Sequence, residues 1–180
     1  MTIRPAARTR PILFSGPMVR AILSGAKTQT RRVITPQPDA RLRWGFTGWE
    51  DGHGRALPCR YGAPGDLLWV RETWCAVDGC TAYRADDWID APSDDEKWHP
   101  SIFMPRAISR ITLAITSVRV ERVQDISEAS AMDEGVERDT FGEHYRQAFI
   151  ALWNAINAKR GYSWERNPWV WTLTFQQVTP

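Results

Sequence analysis

Gly25-Ala26-Lys27-Thr28-Gln29-Thr30-Arg31-Arg32 is the stretch on which the reading of this chain turns. Upstream, Pro11-Ile12-Leu13-Phe14 reads as a short strand. Ser15-Gly16-Pro17 then opens a helix, since proline suits a first helical turn, and Met18, Ile22 and Leu23 give that helix an apolar side. Gly25 ends it as a C-terminal glycine does. From Lys27 to Ile34 the β-branched residues predict a strand. The octapeptide is therefore a helix-to-strand turn. It is not a Walker A loop, because the spaced first glycine is absent. A lysine, two threonines and two arginines packed this closely can bind phosphate, or activate a threonine hydroxyl if the lysine is desolvated. A basic strand edge that blocks aggregation is the competing reading.

Working outward, the chain has 180 residues, enough for one domain over 1–180. Only Lys27, Lys97 and Lys159 are lysines, so 20 of the 23 basic residues are arginine, and ten residues are tryptophan. Arginine forks onto phosphate and stacks on flat groups, as tryptophan does, so this composition fits a partner that is anionic or π-rich. Residues 1–60 hold 11 basic residues against three acidic ones, a surplus of eight, while the remainder is acidic by six. That asymmetry points to a local anion site rather than a uniformly basic surface.

No apolar run of 18 residues is present, so no transmembrane helix and no membrane partner are expected. The arginines of Met1–Arg10 are followed only by the short apolar patch Pro11–Phe14, too little for a signal-peptide core, and a cytoplasmic location is expected. Cys59, Cys75 and Cys80 include no C-x-x-C pair. Their spacing, even with His53 and His99, fits no standard zinc pattern, and neither a metal nor a cofactor is expected.

Residues 35–65 and 86–105 are rich in Pro, Gly, Arg and Trp or in polar residues, and read as two long loop insertions. Between them, Leu67–Glu72 is a strand and Thr81–Arg84 a shorter one. Ile111, Leu113 and Ile115 alternate, as do Val118 and Val120, but the parity flips at Thr116-Ser117. A one-residue slip of this kind is a bulge, and bulged strands bend to close small barrels. Asp125-Ile126-Ser127-Glu128 resembles a capping box for a short helix ending at Glu134-Gly135. Thr140-Phe141-Gly142-Glu143 looks like a second one, leading into an amphipathic helix from Phe141 to about Ala158. Trp169, Trp171, Leu173 and Phe175 form one face of a final strand. The expected fold is α+β: a small mixed β-barrel with flanking helices. Trp153, Trp169 and Trp171 are core by periodicity, while Trp44, Trp49, Trp88 and Trp98 lie in loops, to pin them or to stack on a base.

The order of a short helix, G-x-K-T-x-T-R-R at 25–32, P-G-D-x-L-W-V-R-E at 64–72, a long strand and a small helix ending in E-G resembles the ASCH family, in particular its longer phage and prophage members. The resemblance covers Pro11–Ile34, Tyr61–Trp74, Met104–Val136 and the Trp-rich C-terminus; the two loops fall outside it. It implies a PUA-like fold, used by RNA-binding and modified-base-reading modules. Small bacterial ASCH proteins are amidohydrolases that remove the acetyl group of N4-acetylcytidine; others are described as ribonucleases or presumed RNA binders. The implied catalytic residues are Lys27, Thr30 and Glu134, with Arg32 matching a basic position of the same motif. Arg31, Arg32, Arg71, Glu72, Tyr83 and Arg84 are candidates to hold substrate or nucleic acid. The expected partner is a modified cytidine nucleoside or RNA, with DNA left open.

Amide cleavage needs a nucleophile, a proton acceptor, a donor to the leaving amine and an oxyanion stabiliser. Thr30 can attack, Lys27 can accept its proton if burial and Arg31 and Arg32 lower its pKa, and Glu134 can orient the lysine or relay a proton. One geometric condition applies. Residues three apart on a regular strand face opposite sides, so Lys27 must sit in the turn before the strand, or the strand must be bulged.

Overall fold

In the computed structural model, residues 7–38, 42–45, 48–77, 79–86, 97–137 and 144–178 are described. The strands are β1 (Thr9–Leu13), β2 (Gln29–Val33), β3 (Arg43–Gly45), β4 (Gly48–Glu50), β5 (Leu67–Arg71), β6 (Trp74–Val77), β7 (Cys80–Tyr83), β8 (Thr112–Arg122) and β9 (Trp169–Val178). The helices are α1 (Gly16–Leu23), α2 (Glu128–Asp133) and α3 (Tyr145–Asn157). The fold is α+β, as expected. Five strands form one mixed sheet in the order β1-β5-β8-β9-β2, with β3-β4 and β6-β7 as separate hairpins. The 35–65 insertion thus carries a hairpin of its own. β6 is a strand that the sequence reading did not find; it pairs Trp74 with Tyr83.

The five-stranded sheet is not closed into a full barrel among the described residues. Among the described residues β1 and β2 are the two edges of an open sheet and do not pair. Pro11 lies within β1, where its missing N–H suits an edge strand. Side chains cross the seam instead. Arg32 Nη2 donates to the carbonyl of Leu13, the last residue of β1, at 2.6 Å. The same guanidinium stands 5.0 Å from the centre of the Phe14 ring.

The expected slip in the long strand is present: the β8–β9 register shifts between Ile115 and Ser117. Beyond the shift, Val118 pairs with Leu173 and Val120 with Trp171, so both halves of β8 face the same core despite the change of parity. That core gathers Ile12, Leu68, Val70, Leu113, Ile115, Leu173 and Phe175. A second cluster on the other face of β9 joins Val170 to Val123, Ile126, Ala131, Phe149 and Trp153, docking α2 and α3 onto the sheet. Burying one such aliphatic side chain contributes about 1.5–3 kcal/mol, and Leu173→Ala in β9 costs about 2–5 kcal/mol.

Two local expectations shift. The cap of α2 is Ser127, whose hydroxyl accepts from Ser130 N at 3.1 Å, and not Asp125. Asp125 instead accepts from the backbone N–H of Arg122 at 3.1 Å, stabilising the preceding turn. The helix does end at Glu134-Gly135, Gly135 taking φ of 73°. The capping box expected at 140–143 lies outside the described residues, and α3 runs over Tyr145–Asn157. Trp153 and Trp171 are buried, and Trp169 is half-buried beneath the Arg122 guanidinium, 4.1 Å away. Trp49 packs against the main core, pinning its hairpin. Trp88 and the side chain of Trp44 lie outside the described residues. No helix among the described residues is long and apolar enough to cross a membrane.

Candidate functional site

Lys27 lies two residues ahead of β2, between the ends of two helices. Its N–H donates to Ala21 O of α1 at 2.9 Å, and the next N–H, that of Thr28, donates to Asp133 O of α2 at 2.9 Å. Lys27 and Glu134 thereby form an isolated antiparallel bridge. Gly135 makes the approach possible: a Cβ there would stand 2.6 Å from Lys27 Cβ and 2.8 Å from Ala21 Cβ. The geometric condition on Lys27 and Thr30 is therefore met by the turn, and both residues line one cavity of about 510 Å³.

The Lys27 side chain is 1% exposed. Its Nζ donates to Glu134 Oε2 at 2.9 Å, Glu134 O at 2.7 Å and Gln29 O at 2.8 Å. Those three bonds use all the donors of an ammonium. Burial pushes the pKa of Lys27 below its ordinary value; Glu134 opposes this, and Arg32 and Arg31 reinforce it. The other Glu134 oxygen, Oε1, accepts from Arg31 Nη1 at 3.2 Å, while Arg31 Nη2 donates to Glu121 Oε1 at 2.9 Å. Glu121 Oε1 also accepts from the buried Thr172 hydroxyl. Glu134 closes a helix C-terminus, where a carboxylate is unfavourable; the two cations at its oxygens offset that cost.

Arg32 is a wall of the same cavity, and burial lowers its pKa as well. Phe14 lies 5.5 Å from Lys27 Nζ, measured to the ring centre, and Phe149 and Trp153 of α3 also line the cavity. A larger groove of about 1190 Å³ runs past the other side of Gly135, between α1 and α3. Its walls include Met18, Ala21, Met132, Ala148 and Leu152 together with Arg20, Asp133 and Glu137, whereas Lys27, Arg31, Arg32 and Glu134 line the smaller cavity.

Of the sequence candidates, Lys27, Thr30, Arg31, Arg32 and Glu134 are brought together around this cavity. Arg71, Glu72, Tyr83 and Arg84 are not among its lining residues. Glu72 is 1% exposed and takes a two-pronged contact from Arg110, with both N···O distances 2.9 Å. Arg110 also reaches Asp86 and lies 4.0 Å from the Tyr83 ring centre, and the Tyr83 hydroxyl donates to Ile108 O at 2.7 Å. Arg71 donates to Met104 O at 3.0 Å, and Arg84 stands 5.3 Å from the Trp98 ring. These contacts tie the β6–β7 hairpin and the 97–110 segment to the sheet. Among the described residues no group of His, Cys, Asp and Glu is placed to hold a metal ion.

Glu121, Arg60, Tyr61 and Arg160 were missed by sequence reasoning. Arg60 and Tyr61 stand at the end of the first insertion, and Arg160 follows the last long helix. Their convergence depends on the tertiary fold, and only the surplus of base in the first 60 residues hinted at Arg60.

No protein-family model matches the chain, and no curated protein matches it. Two solved structures are similar to it. One is an ASCH domain from Lactobacillus crispatus JV V101, 14% identical, covering 94% of this chain and 79% of that one with a TM-score of 0.46. The other is a DUF984 protein from Enterococcus faecalis V583, 12% identical, covering 97% of this chain and 82% of that one with a TM-score of 0.46. The first bears the name of the family that the motifs at 25–32 and 64–72 resemble.

Proposed function

We propose that the cavity takes a pyrimidine nucleoside unit and that the protein hydrolyses the amide of N4-acetylcytidine. The observation that carries this reading is the buried Lys27, with its lowered pKa, sharing one cavity with Thr30. Thr30 Oγ1 adds to the acetyl carbonyl carbon, and its proton passes to Lys27 Nζ in the neutral form that burial favours. The tetrahedral intermediate collapses, the bond from carbon to N4 breaks, and Lys27 returns the proton to N4 directly or through Glu134. Water then cleaves the acetyl-threonine ester, releasing acetate and restoring the hydroxyl. Proton transfer by a positioned group contributes roughly 10²–10⁴-fold to such a step.

A second reading also has an observation behind it. All three Lys27 donors are engaged and none goes to Thr30, which favours a rigid, non-catalytic module for RNA or modified nucleic acid. Incubation with N4-acetylcytidine separates the two. Release of cytidine and acetate together supports the hydrolase. No release, with RNA binding that weakens as salt rises, supports the binding module.

A further inference from the structure

The charges around the cavity do not balance. Lys27, Arg31, Arg32, Arg60 and Arg160 line it, against a single carboxylate, that of Glu134. The charges of Lys27 and Arg31 are countered by Glu134 and Glu121, although Arg31 Nε has no hydrogen-bond partner. For Arg32, Arg60 and Arg160 no carboxylate partner is found among the described residues, leaving three positive charges on one rim. At Arg32 burial is the main cause of a lowered pKa; Tyr61 and Glu134 oppose it, and Arg160 and Arg60 add to it. Arg32 Nε is in addition a buried donor with no acceptor. Leaving such a donor unpaired is costly, so an arrangement that keeps it calls for an acceptor. Arg60 and Arg160 are exposed at the mouth, Arg60 resting 5.5 Å from the Tyr61 ring centre. Like charges gathered around an orphaned donor in a concave wall, beside an aromatic ring, suit a phosphate attached to a base.

We propose that Arg32, Arg60 and Arg160 form a phosphate subsite, so that the occupant of the cavity is a nucleotide unit rather than a free nucleoside. The proposal rests on the nucleoside reading of the cavity, but not on the deacetylation chemistry. The phosphate can belong to a mononucleotide or to a polynucleotide backbone, and arginine forks recognise both alike.

The test is calorimetric titration of the full chain with cytidine, cytidine 5′-monophosphate, cytidine 3′-monophosphate and a short cytidine-containing RNA. At least one monophosphate is expected to bind ten-fold or more tightly than cytidine, with the gap narrowing as salt rises. In an R60A/R160A double variant, both positions being exposed, the gap is expected to fall below three-fold. R119A, which removes an exposed arginine outside the cavity, is expected to keep it. RNA binding more tightly than either monophosphate assigns the phosphate to a polynucleotide; equal binding assigns it to a free nucleotide. Equal affinity for cytidine and both monophosphates, a gap that survives in the double variant, or no binding of any of the four overturns the subsite. Loss of the hydrolase reading alone shows differently: no acetate from N4-acetylcytidine, with the nucleotide gap intact.

Discussion

Glu134 holds Lys27 twice, through its carboxylate at 2.9 Å and its own backbone carbonyl at 2.7 Å. Both residues are almost fully buried, and the carboxylate is shared with Arg31. Glu134→Ala leaves two buried cations short of a countercharge and is expected to cost roughly 3–5 kcal/mol. In a Lys27→Met background the same change is expected to cost measurably less, because the pair acts as a unit. Urea denaturation of the two single variants and the double checks this; simple additivity contradicts it.

Gly135 and Gly25 both take positive φ, at 73° and 78°, but only Gly135 has neighbours within reach of an added Cβ. Gly25→Ala is expected to cost about 1 kcal/mol of backbone strain. Gly135→Ala adds a collision with Lys27 and Ala21, and its loss is expected to be two to three times greater. It also displaces Lys27, so its activity falls where that of Gly25→Ala does not. Denaturation midpoints and turnover of the two variants provide the check.

Much of this was legible in the sequence, for identifiable reasons. The parity flip at Thr116-Ser117 located the bulge because side-chain alternation has a period of two, and any slip shows. The run from Lys27 to Arg32 was legible as a helix-to-strand turn because helix stop, turn and strand start are all local signals. The open seam between β1 and β2 was not legible, since no local pattern tells whether two edges pair or are bridged by Arg32. The link from Glu72, at the end of the 64–72 motif, and from Tyr83 to Arg110 was not legible, because Arg110 lies in a distant segment. The rim arginines at 60 and 160 likewise meet only through the tertiary fold.

Arg110 offers a test of that division between scaffold and site. Its pKa is raised by the bonds to Glu72 and Asp86, which outweigh its partial burial. Arg110→Met strands the fully buried Glu72 carboxylate and is expected to cost roughly 3–5 kcal/mol. At a temperature where the variant remains folded, nucleotide affinity is expected to stay within three-fold of the parent. Titration calorimetry beside thermal unfolding reads both quantities.

The pH dependence follows from the direction of the Lys27 shift. Burial lowers its folded-state pKa below the ordinary 10.5, so between those two values the unfolded chain binds more protons than the folded one. Stability from this group therefore rises with pH across that window, and the burial cost is fully present below it. The stability of wild type relative to Lys27→Met is expected to climb as pH approaches 10.5. Turnover is expected to climb in the same direction, because the neutral amine is the competent form. Denaturation and rate profiles from pH 7 upward test both slopes, and a rate that falls as pH rises opposes Lys27 as the proton acceptor.

The most direct test of the central claim is the rate of cytidine and acetate release from N4-acetylcytidine by wild type, Thr30→Val and Lys27→Met. Thr30→Val keeps the shape of a buried side chain and removes only the hydroxyl. Turnover by wild type with a loss of at least 10²-fold in each variant, both remaining folded by circular dichroism, is the predicted result. Undiminished turnover in Thr30→Val, or no turnover by a folded wild type, would contradict the account of Thr30 as nucleophile and Lys27 as its base.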